Sequence, residues 1–556
     1  MLHFKESLVE LSARERIRAL MDKGSFRELL GPFDGVESPH LAKQGIVPQS
    51  DDGVVVGKGA IDGTPSVVIA MEGDFQGGGI GEVAGSKIAS ALELALNDNK
   101  SGEPTKAVIV FDTGGVRLQE ANYGLLTIAE IHAAIVALRE YSPVIGVIPG
   151  KIGAFGGMAI SAGLCSALVM TKEGRLCLNG PEVIEQEAGI REFDSKDRTL
   201  VWRTMGGRQR VSTGYADIET EDDTWTIRNH ISELFAKEHH PRSANIDEFH
   251  SIIRAIDTSS EVAPEDFRDI AEKKENKLSN HKKKPELENS RGKIWFEALT
   301  GQTAEDNRDA ASVLCAEGKI NNETASFLAV VPNKQARFPR ARNGEVGLEE
   351  GWMLAEHVRK IMEEDRNREK RPIVAIVDVP SQAYGYKEEL AGIYLSCAAA
   401  ADAYASARMA GHPVIALIVG QAISGAFLSH GLQANRILAL DDENVQVQVM
   451  SKQSAARITL RTIAQVEEAA KQVPATAYDV HSFATLGALD ELIKNVHPDK
   501  PADADVEQVE RTLAKTVNDI RERKSGLEHR LQTPAAVEGG RKASIEVRRL
   551  MEEQWK

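Results

Sequence analysis

Two stretches decide the fold: SPVIGVIPG at residues 142–150 and HPVIALIVG at residues 412–420. They lie 270 positions apart, and each is followed by small residues, AFGGMA in the first copy and ISGAFL in the second. A second matched pair, VIVFDTGG at 108–115 and VAIVDVPS at 374–381, lies upstream. Such internal similarity indicates two duplicated domains, and what repeats is a pair of buried strands that end in small-residue loops.

The composition is that of a globular protein with more than one core. The chain has 556 residues, of which 27% are charged and 42% hydrophobic, and its net charge is −16. This length predicts two to four domains, and the acidic balance argues against a nucleic-acid binder. The four cysteines lack CxxC spacing, so we expect reduced thiols in a cytoplasmic protein and no zinc site.

Neither a secretory leader nor a membrane span is predicted. The first residues, MLHFKESLVELSARERI, contain no apolar core and no small-residue cleavage site. The longest apolar stretches, 143–170 and 413–440, are interrupted by glycines and by Lys151, Gln421 and His430. They fit buried strand–helix segments better than membrane helices.

The repeat and a change in composition divide the chain into three parts. Residues 1–240 form the first predicted domain, residues 241–291 a charged linker, and residues 292–556 the second domain. His239–His240 and Lys282–Lys284 are interpreted as solvated segments rather than ligands. Both domains show strand–strand–helix units with apolar strands of the parallel type, which predicts an α/β fold.

Glycine-rich turns after two strands form the predicted chemical site. AFGGMA (154–159) ends a strand and opens a helix, and DTGGVR (112–117) follows the preceding strand. Free amides at a helix start bind anionic oxygen, so the two loops are predicted to form an oxyanion hole. The alternative is that these glycines only permit close packing. The candidate residues are Gly114, Gly115, Gly156 and Gly157.

The second domain keeps these positions but changes the residues. SGAF (424–427) replaces FGGM, and VPSQ (379–382) replaces TGGV. Serine and alanine tolerate a helix start, so a second hole is predicted there, but Pro380 has no N–H to donate. The two holes therefore need not be equivalent.

Other site signatures are weak or missing. Gly79, Gly81 and Ala84 only loosely fit a dinucleotide fingerprint, because they do not directly follow the first strand of a βαβ unit. The sequence contains no GxxxxGK[ST], HExxH or GxSxG motif. We therefore expect no resident metal and no covalent nucleophile, and a reaction that depends on positioning and oxyanion stabilisation.

A series of motifs resembles carboxyltransferase subunits of acyl-CoA carboxylases, which belong to the crotonase superfamily. The matching segments are SARERIRALMDKGSF (12–26), DDGVVVGKGAIDG (51–63), DFQGGGIGEVAGSKI (74–88), DTGGVRLQE (112–120), GGMA (156–159) and GPEVIEQ (180–186). The resemblance implies two tandem crotonase-like ββα-spiral domains. It also implies a thioester whose carbonyl lies in an oxyanion hole.

Departures from that pattern narrow the family. The chain lacks the Cys₄ zinc ribbon of bacterial acetyl-CoA carboxylase β subunits, and it reads DVPSQ where propionyl-type enzymes read DVPGF. RGKIWFEALTG (291–301) and ARFPRARNGEVGLEEGW (336–352) look most like the γ subunit of malonate decarboxylase. The first half looks like the β subunit. The whole chain resembles a β–γ fusion.

In that family, the β–γ unit decarboxylates a malonyl thioester on an acyl carrier protein to acetyl thioester and CO₂. The resemblance implies that the first-half glycines hold the thioester, that Ser381, Gln382, Ser424 and Gly425 face it, and that no cofactor of the chain's own is needed. The carrier would bear a phosphoribosyl-dephospho-CoA arm. Tyr384, Gln382 or a water would protonate the acetyl enolate.

The resemblance also implies partners. We expect the acyl carrier protein and an acyl-carrier transferase subunit in one complex, and a homodimer whose sites lie between halves of different protomers. Lys87 and Arg117 are candidates for binding phosphate or carboxylate. The basic segments 336–342 and 203–210 are hypothesised to dock the acidic carrier, chiefly through Arg337, Arg340 and Arg342.

Three other functions stay open. The first is a biotin-dependent carboxyltransferase, which passes the malonyl carboxyl group to a biotin carrier protein. The second is a crotonase-type hydratase or isomerase, which needs paired carboxylates, for which Glu120, Glu182 and Glu185 are candidates. The third is a non-catalytic assembly subunit, which damaged glycine turns would favour.

Overall fold

The computed structural model describes residues 5–273, 285–304 and 312–556. The predicted Lys282–Lys284 segment lies outside these residues. The described part contains two seven-stranded sheets, one in each half of the chain, with helices between and around them.

The first half is built on one mixed sheet. Its strands are β1 Arg27–Leu29, β2 Val54–Ile61, β3 Thr64–Met71, β4 Lys106–Val110, β5 Val144–Ile148, β6 Ala167–Thr171 and β7 Ile218–Thr220. Its helices are α1 Ala13–Leu20, α2 Glu82–Lys100, α3 Asn122–Leu138, α4 Gly157–Leu164, α5 Pro181–Ala188, α6 Arg198–Met205, α7 Gly207–Ser212 and α8 Thr224–Phe235. Strands β1 to β3 pair antiparallel, and β3 to β7 pair parallel in chain order.

The second half repeats this plan. Its strands are β8 Val313–Ile320, β9 Glu323–Val330, β10 Ile373–Val379, β11 Val414–Ile423, β12 Arg436–Leu440, β13 Gln446–Gln448 and β14 Glu491–Ile493. The hairpin β8–β9 is antiparallel and leads into parallel β9, β10, β11, β12 and β14, while β13 pairs with β11. An antiparallel hairpin followed by parallel strands and helices, twice, confirms the prediction of two tandem crotonase-like α/β domains.

The helices of the second half complete the element order. They are α11 Arg291–Thr300, α12 Leu348–Glu364, α13 Tyr386–Leu390, α14 Ile393–Met409, α15 Ser424–Ser429, α16 Lys452–Ile458, α17 Ile463–Gln472, α18 Val480–Ala484, α19 Asp503–Arg523 and α20 Lys542–Trp555. None of the helices in the described ranges combines the length and the hydrophobicity that a membrane span requires.

Two glycines show that the repeat is a structural one. An added Cβ on Gly85 of α2 would lie 2.1 Å from the hydroxyl of Thr127 on α3. In the second half, an added Cβ on Gly351 of α12 would lie 2.2 Å from the hydroxyl of Ser396 on α14. Both positions require glycine because the two helices approach too closely for a side chain.

The described part of the predicted linker is folded. It forms α9 Ile246–Ala255 and α10 Pro264–Lys273, and both helices bury an apolar face. Phe249 stacks on Trp352 of the second half, with ring centroids 5.7 Å apart. Residues 246–273 are therefore packed against the rest of the protein and do not form a solvated linker. The exact domain boundaries stay a prediction.

Buried ion pairs join the two halves. Asp402 of α14 is fully buried and pairs with Arg139, at the end of α3, and with Arg359 of α12. The hydroxyl of Ser243 donates a third hydrogen bond to it, at 2.7 Å. Burial opposes ionisation, but the two guanidinium groups outweigh it and lower the pKa of Asp402 to about 2.

Replacing Asp402 by Asn is expected to lower the free energy of unfolding at pH 7 by about 2–3 kcal/mol, because the ionised carboxylate stabilises the folded state. Since the folded pKa lies below the unfolded one, this contribution is complete above about pH 4 and is lost as the pH falls towards 2. Urea unfolding at several pH values measures it. Asp269→Asn, at an exposed position of α10, is the control. Equal losses in the two variants would contradict the assignment.

Candidate active site at the junction of the two halves

A cavity of about 390 Å³ lies where the two halves of one chain meet. The first half contributes the turn after β4, the start of α4 and the loop before α5. The second half contributes Gln382, Tyr384, the start of α15 and residues 449–450 and 458–459. Such a volume suits a small-molecule site. Both halves of a single chain line this cavity, and the homodimer with sites between halves of different protomers stays a prediction.

The two first-half turns are in direct contact. An added Cβ on Gly115 would lie 3.0 Å from the carbonyl oxygen of Phe155 and 3.1 Å from the Cα of Gly156. Gly115 has φ of +99° and Gly156 has φ of +58°, a region that glycine adopts without strain. The predicted glycines are therefore needed both for backbone conformation and for this close approach.

The backbone amides that are free to bind a substrate oxygen are only partly the predicted ones. Gly114 donates to the carbonyl of Gly77 at 2.8 Å, Gly115 to the hydroxyl of Thr113 at 3.0 Å, and Gly156 to the carbonyl of Leu178 at 3.0 Å. Among the described residues, the N–H groups of Gly157 and Val116 have no acceptor.

Val116 and Gly157 both line the cavity. An added Cβ on Gly156 would lie 3.9 Å from the nitrogen of Val116, so the two turns bring these amides close together. Two free amides and the start of α4 can bind a negatively charged oxygen. Sequence reasoning missed Val116. Its position directly after the Gly114–Gly115 turn was the available signal.

The second-half turn has the same backbone but a different occupant. Ser424 has φ of +57°, close to the +58° of Gly156. The structure therefore aligns Ser424 with Gly156, whereas the sequence comparison aligned it with Phe155. A non-glycine residue in this region is strained. The amide of Gly425 donates to the side-chain oxygen of Gln382 at 3.0 Å.

Gln382 connects this turn to the first half. Its side-chain nitrogen donates to the side-chain oxygen of Asn179 at 2.9 Å, and the Asn179 nitrogen donates to the carbonyl of Ala383 at 3.0 Å. Ser381 does not reach the cavity, and its carbonyl accepts from the amide of Val346. Of the two predicted residues in this loop, Gln382 is therefore the one in the site.

A buried carboxylate completes the connection. Glu389 of α13 accepts from the amides of Leu178 at 3.1 Å and Asn179 at 2.6 Å. Burial raises its pKa to about 7, against the opposing effects of Arg210 and these amides. Since Leu178 also accepts from Gly156, a hydrogen-bonded path runs from the Gly156 turn through residues 178–179 to Glu389 and Gln382. We call this path the inter-half network.

Lys87 and Arg117 lie in buried polar networks. The ammonium group of Lys87 donates to the carbonyls of Leu30, Asp51 and Val54, and burial lowers its pKa to about 8. It does not line the cavity. Arg117 lines the cavity but is 2% exposed, and its guanidinium group is paired with Asp52 and Glu120.

Few titratable side chains face the cavity. Tyr384 lines it, and burial raises the pKa of its hydroxyl, which therefore stays protonated. Of the three candidate acids, Glu182 alone lines the cavity, because Glu120 is paired with Arg117 and Glu185 accepts from Ser195. Among the described residues, no group of three His, Cys, Asp or Glu side chains is placed to hold a metal ion.

Most arginines of the two basic segments expected to dock a carrier are engaged within the chain, whereas Arg208 is exposed. Arg337 pairs with Glu349 and donates to carbonyls at residues 253 and 256, and Arg340 pairs with Glu192. Arg342 donates to the carbonyl of Ala336. In the other segment Arg210 is fully buried and Arg203 pairs with Glu265.

Comparisons with known proteins agree with this architecture. The family model of the malonate decarboxylase gamma subunit matches residues 341–555. Malonyl-S-ACP:biotin-protein carboxyltransferase MADC of Malonomonas rubra is 39% identical over 280 residues, which are 48% of this chain and 88% of that protein. The carboxyltransferase MADD of the same organism is 39% identical over 34% of this chain and 68% of its own length.

A solved Pseudomonas malonate decarboxylase hetero-tetramer, in complex with malonate, contains a chain that is 54% identical. The match covers 48% of this chain and 97% of that one, with a TM-score of 0.47. On the sequence relatives, the protein is a carboxyltransferase-type enzyme. It belongs to the carboxyltransferase family of malonate decarboxylase subunits, and the resemblance to a β–γ fusion is confirmed.

Proposed function

We propose that the chain decarboxylates a malonyl thioester, carried on an acyl carrier protein, to the acetyl thioester and CO₂. The observation that carries this proposal is the pair of free amides, of Val116 and Gly157, in a cavity shared by both halves. Breaking the bond between Cα and the carboxylate releases CO₂ and leaves the electron pair as an enolate, whose charge lies on the thioester oxygen. The two amides stabilise that charge more than the neutral carbonyl.

The second-half turn would hold the leaving carboxylate. The Gly425 amide is now bonded to the oxygen of Gln382, and a malonyl carboxylate oxygen would take that position. This orients the carboxylate away from the thioester oxygen before CO₂ leaves. The enolate carbon then takes a proton, for which the protonated hydroxyl of Tyr384 or a water is the candidate donor.

The remaining features of the proposal come from the family resemblance. The chain would need no cofactor of its own, since the thioester arm, phosphoribosyl-dephospho-CoA, belongs to the carrier. A carrier subunit and an acyl-carrier transferase would be its partners. The described cysteines are free thiols, which suits the reducing cytoplasm.

A biotin-dependent carboxyltransferase is the second candidate, because the Malonomonas rubra relatives carry that name. Both reactions pass through the same enolate, so only the fate of the carboxyl group separates them. The hydratase reading is disfavoured, because only one of the three candidate carboxylates lines the cavity. The intact first-half turns disfavour a non-catalytic assembly subunit.

CO₂ release from malonyl-carrier by the purified chain, with avidin present, separates the two candidates. Decarboxylation without biotin predicts release that avidin does not change. Release that requires an added biotin protein and disappears with avidin would establish the carboxyltransferase instead.

Gly115→Ala is expected to lower kcat about 100-fold, because the new Cβ would push the Gly156 turn away and separate the two amides. Gly102→Ala is the matched control. Gly102 also has a positive φ, +84°, but no atom lies within 4 Å of its added Cβ. The two variants share the backbone strain, so equal activities would show that the contact between the turns is irrelevant to the reaction.

The rate is expected to depend on the ionisation of Glu389. The carboxylate has a pKa of about 7, so it gains a proton as the pH falls. The protonated group is a poorer acceptor for the backbone amides of residues 178 and 179. We expect kcat/KM to fall below about pH 7, and Glu389→Gln to reduce it about 10-fold at pH 8 and to flatten that limb. Glu388→Gln is the control, since burial also raises the pKa of Glu388 to about 7. An unchanged pH profile in Glu389→Gln would refute the assignment.

A further inference from the structure

The mouth of the cavity is bordered by a helical hairpin of the second half. It consists of α16 and α17 and spans residues 452–472. Ile458 and Thr459, at its tip, line the cavity directly. The tip reads RITLRTI over residues 457–463, which combines two arginines, three apolar residues and two threonines. We call this stretch the hairpin tip.

The hairpin tip exposes large apolar side chains. Leu460 is 94% exposed, Ile463 43% and Ile458 42%. Leu460 also has φ of +53°, a conformation that costs energy for a non-glycine residue. Exposed apolar side chains clustered beside a cavity mark an interaction surface more often than isolated ones do.

The charge of the hairpin is opposite to that of the whole protein. Residues 452–472 contain four basic and two acidic side chains, whereas the chain has a net charge of −16. Lys452 pairs with Glu467 and Lys471 with Glu468, so both acidic side chains are used within the hairpin. Arg457, which is exposed, and Arg461 then supply the local positive charge of the tip. Local positive charge on an acidic protein would attract an acidic partner to this site.

The hairpin tip is also attached to the first half. Arg461 donates to the side-chain oxygen of Gln44 at 3.0 Å, and Gln44 donates to the carbonyl of Gln119 at 2.6 Å. Gln119, in the first half, also lines the cavity. A partner seated on the tip would therefore contact the rim at the point where both halves enclose the cavity.

We propose that the hairpin tip, RITLRTI at 457–463, is the docking surface for the acyl carrier protein. This rests on the proposed function, in which a thioester arm enters the cavity at this mouth to reach the Val116 and Gly157 amides. The occupant is an acidic protein with an apolar contact face, which fits the two arginines and three apolar side chains. The arginines at 337, 340 and 342 take part in internal contacts and do not form this surface.

Leu460→Glu and Arg457→Glu test the docking surface in the full chain. KM for malonyl-carrier is expected to rise at least 10-fold in each, because the variants introduce negative charge against an acidic partner. Rates with malonyl-pantetheine, which needs no docking, should change less than 2-fold. Phe33→Glu and Arg366→Glu are the controls, since both residues are highly exposed and neither lines the cavity.

Equal effects on both substrates, or no effect on the carrier, would overturn the proposal. Titration of unacylated carrier onto wild type and variants gives a readout that does not depend on catalysis. If the wild type released no CO₂ from either substrate, the proposed function would fail, and weaker carrier binding by the two variants would still support the docking surface. A change of oligomeric state in the variants, with carrier binding intact, would assign the tip to a second copy of the chain and overturn the proposal.

Discussion

The site depends on one interaction: the buried carboxylate of Glu389 accepts hydrogen bonds from the backbone amides of Leu178 and Asn179. This contact crosses from the second half to the first and fixes the 178–179 loop. That loop then holds both turns of the cavity, since Leu178 accepts from Gly156 and Asn179 accepts from Gln382. Burial raises the pKa of this carboxyl to about 7, and the two amide hydrogen bonds favour its ionised form.

The duplication supplied two equivalent turns, which have since diverged in use. Gly156 and Ser424 keep the same positive φ at the start of equivalent helices. In the first half the following amide, of Gly157, is free, whereas in the second half the amide of Gly425 is bonded to Gln382. The first-half turn can therefore donate a hydrogen bond to a substrate oxygen directly. In the second-half turn, a substrate oxygen would first have to displace the side chain of Gln382. Such asymmetry suits a substrate with two different ends, a thioester carbonyl and a free carboxylate.

Much of the architecture was predictable because it depends on local patterns. The apolar runs that end in glycine gave the strand at 144–148 and the helix that starts near residue 157, and the repeat gave two domains of the same fold. The helices at 246–273 were missed because the surrounding charge concealed an amphipathic pattern, in which Phe249, Ile252 and Ile253 lie on one buried face.

The donors of the site were less predictable, because their availability is decided by distant partners. Whether the Gly156 amide is free depends on the carbonyl of Leu178, and the position of Leu178 depends on Glu389, more than 200 residues later. No spacing in the sequence encodes that contact. Lys87 shows the same limit, since a lysine in a Gly-rich segment suggests anion binding, whereas three carbonyls hold it in the core.

A crystal structure of the chain with a non-reactive malonyl thioester analogue would show directly which amides bind the thioester oxygen. The thioester oxygen should lie within about 3 Å of the nitrogens of Val116 and Gly157, and the carboxylate should lie at the Gly425 amide with the Gln382 side chain displaced. A thioester oxygen bound at Gly425, with the Val116 and Gly157 amides unused, would contradict it.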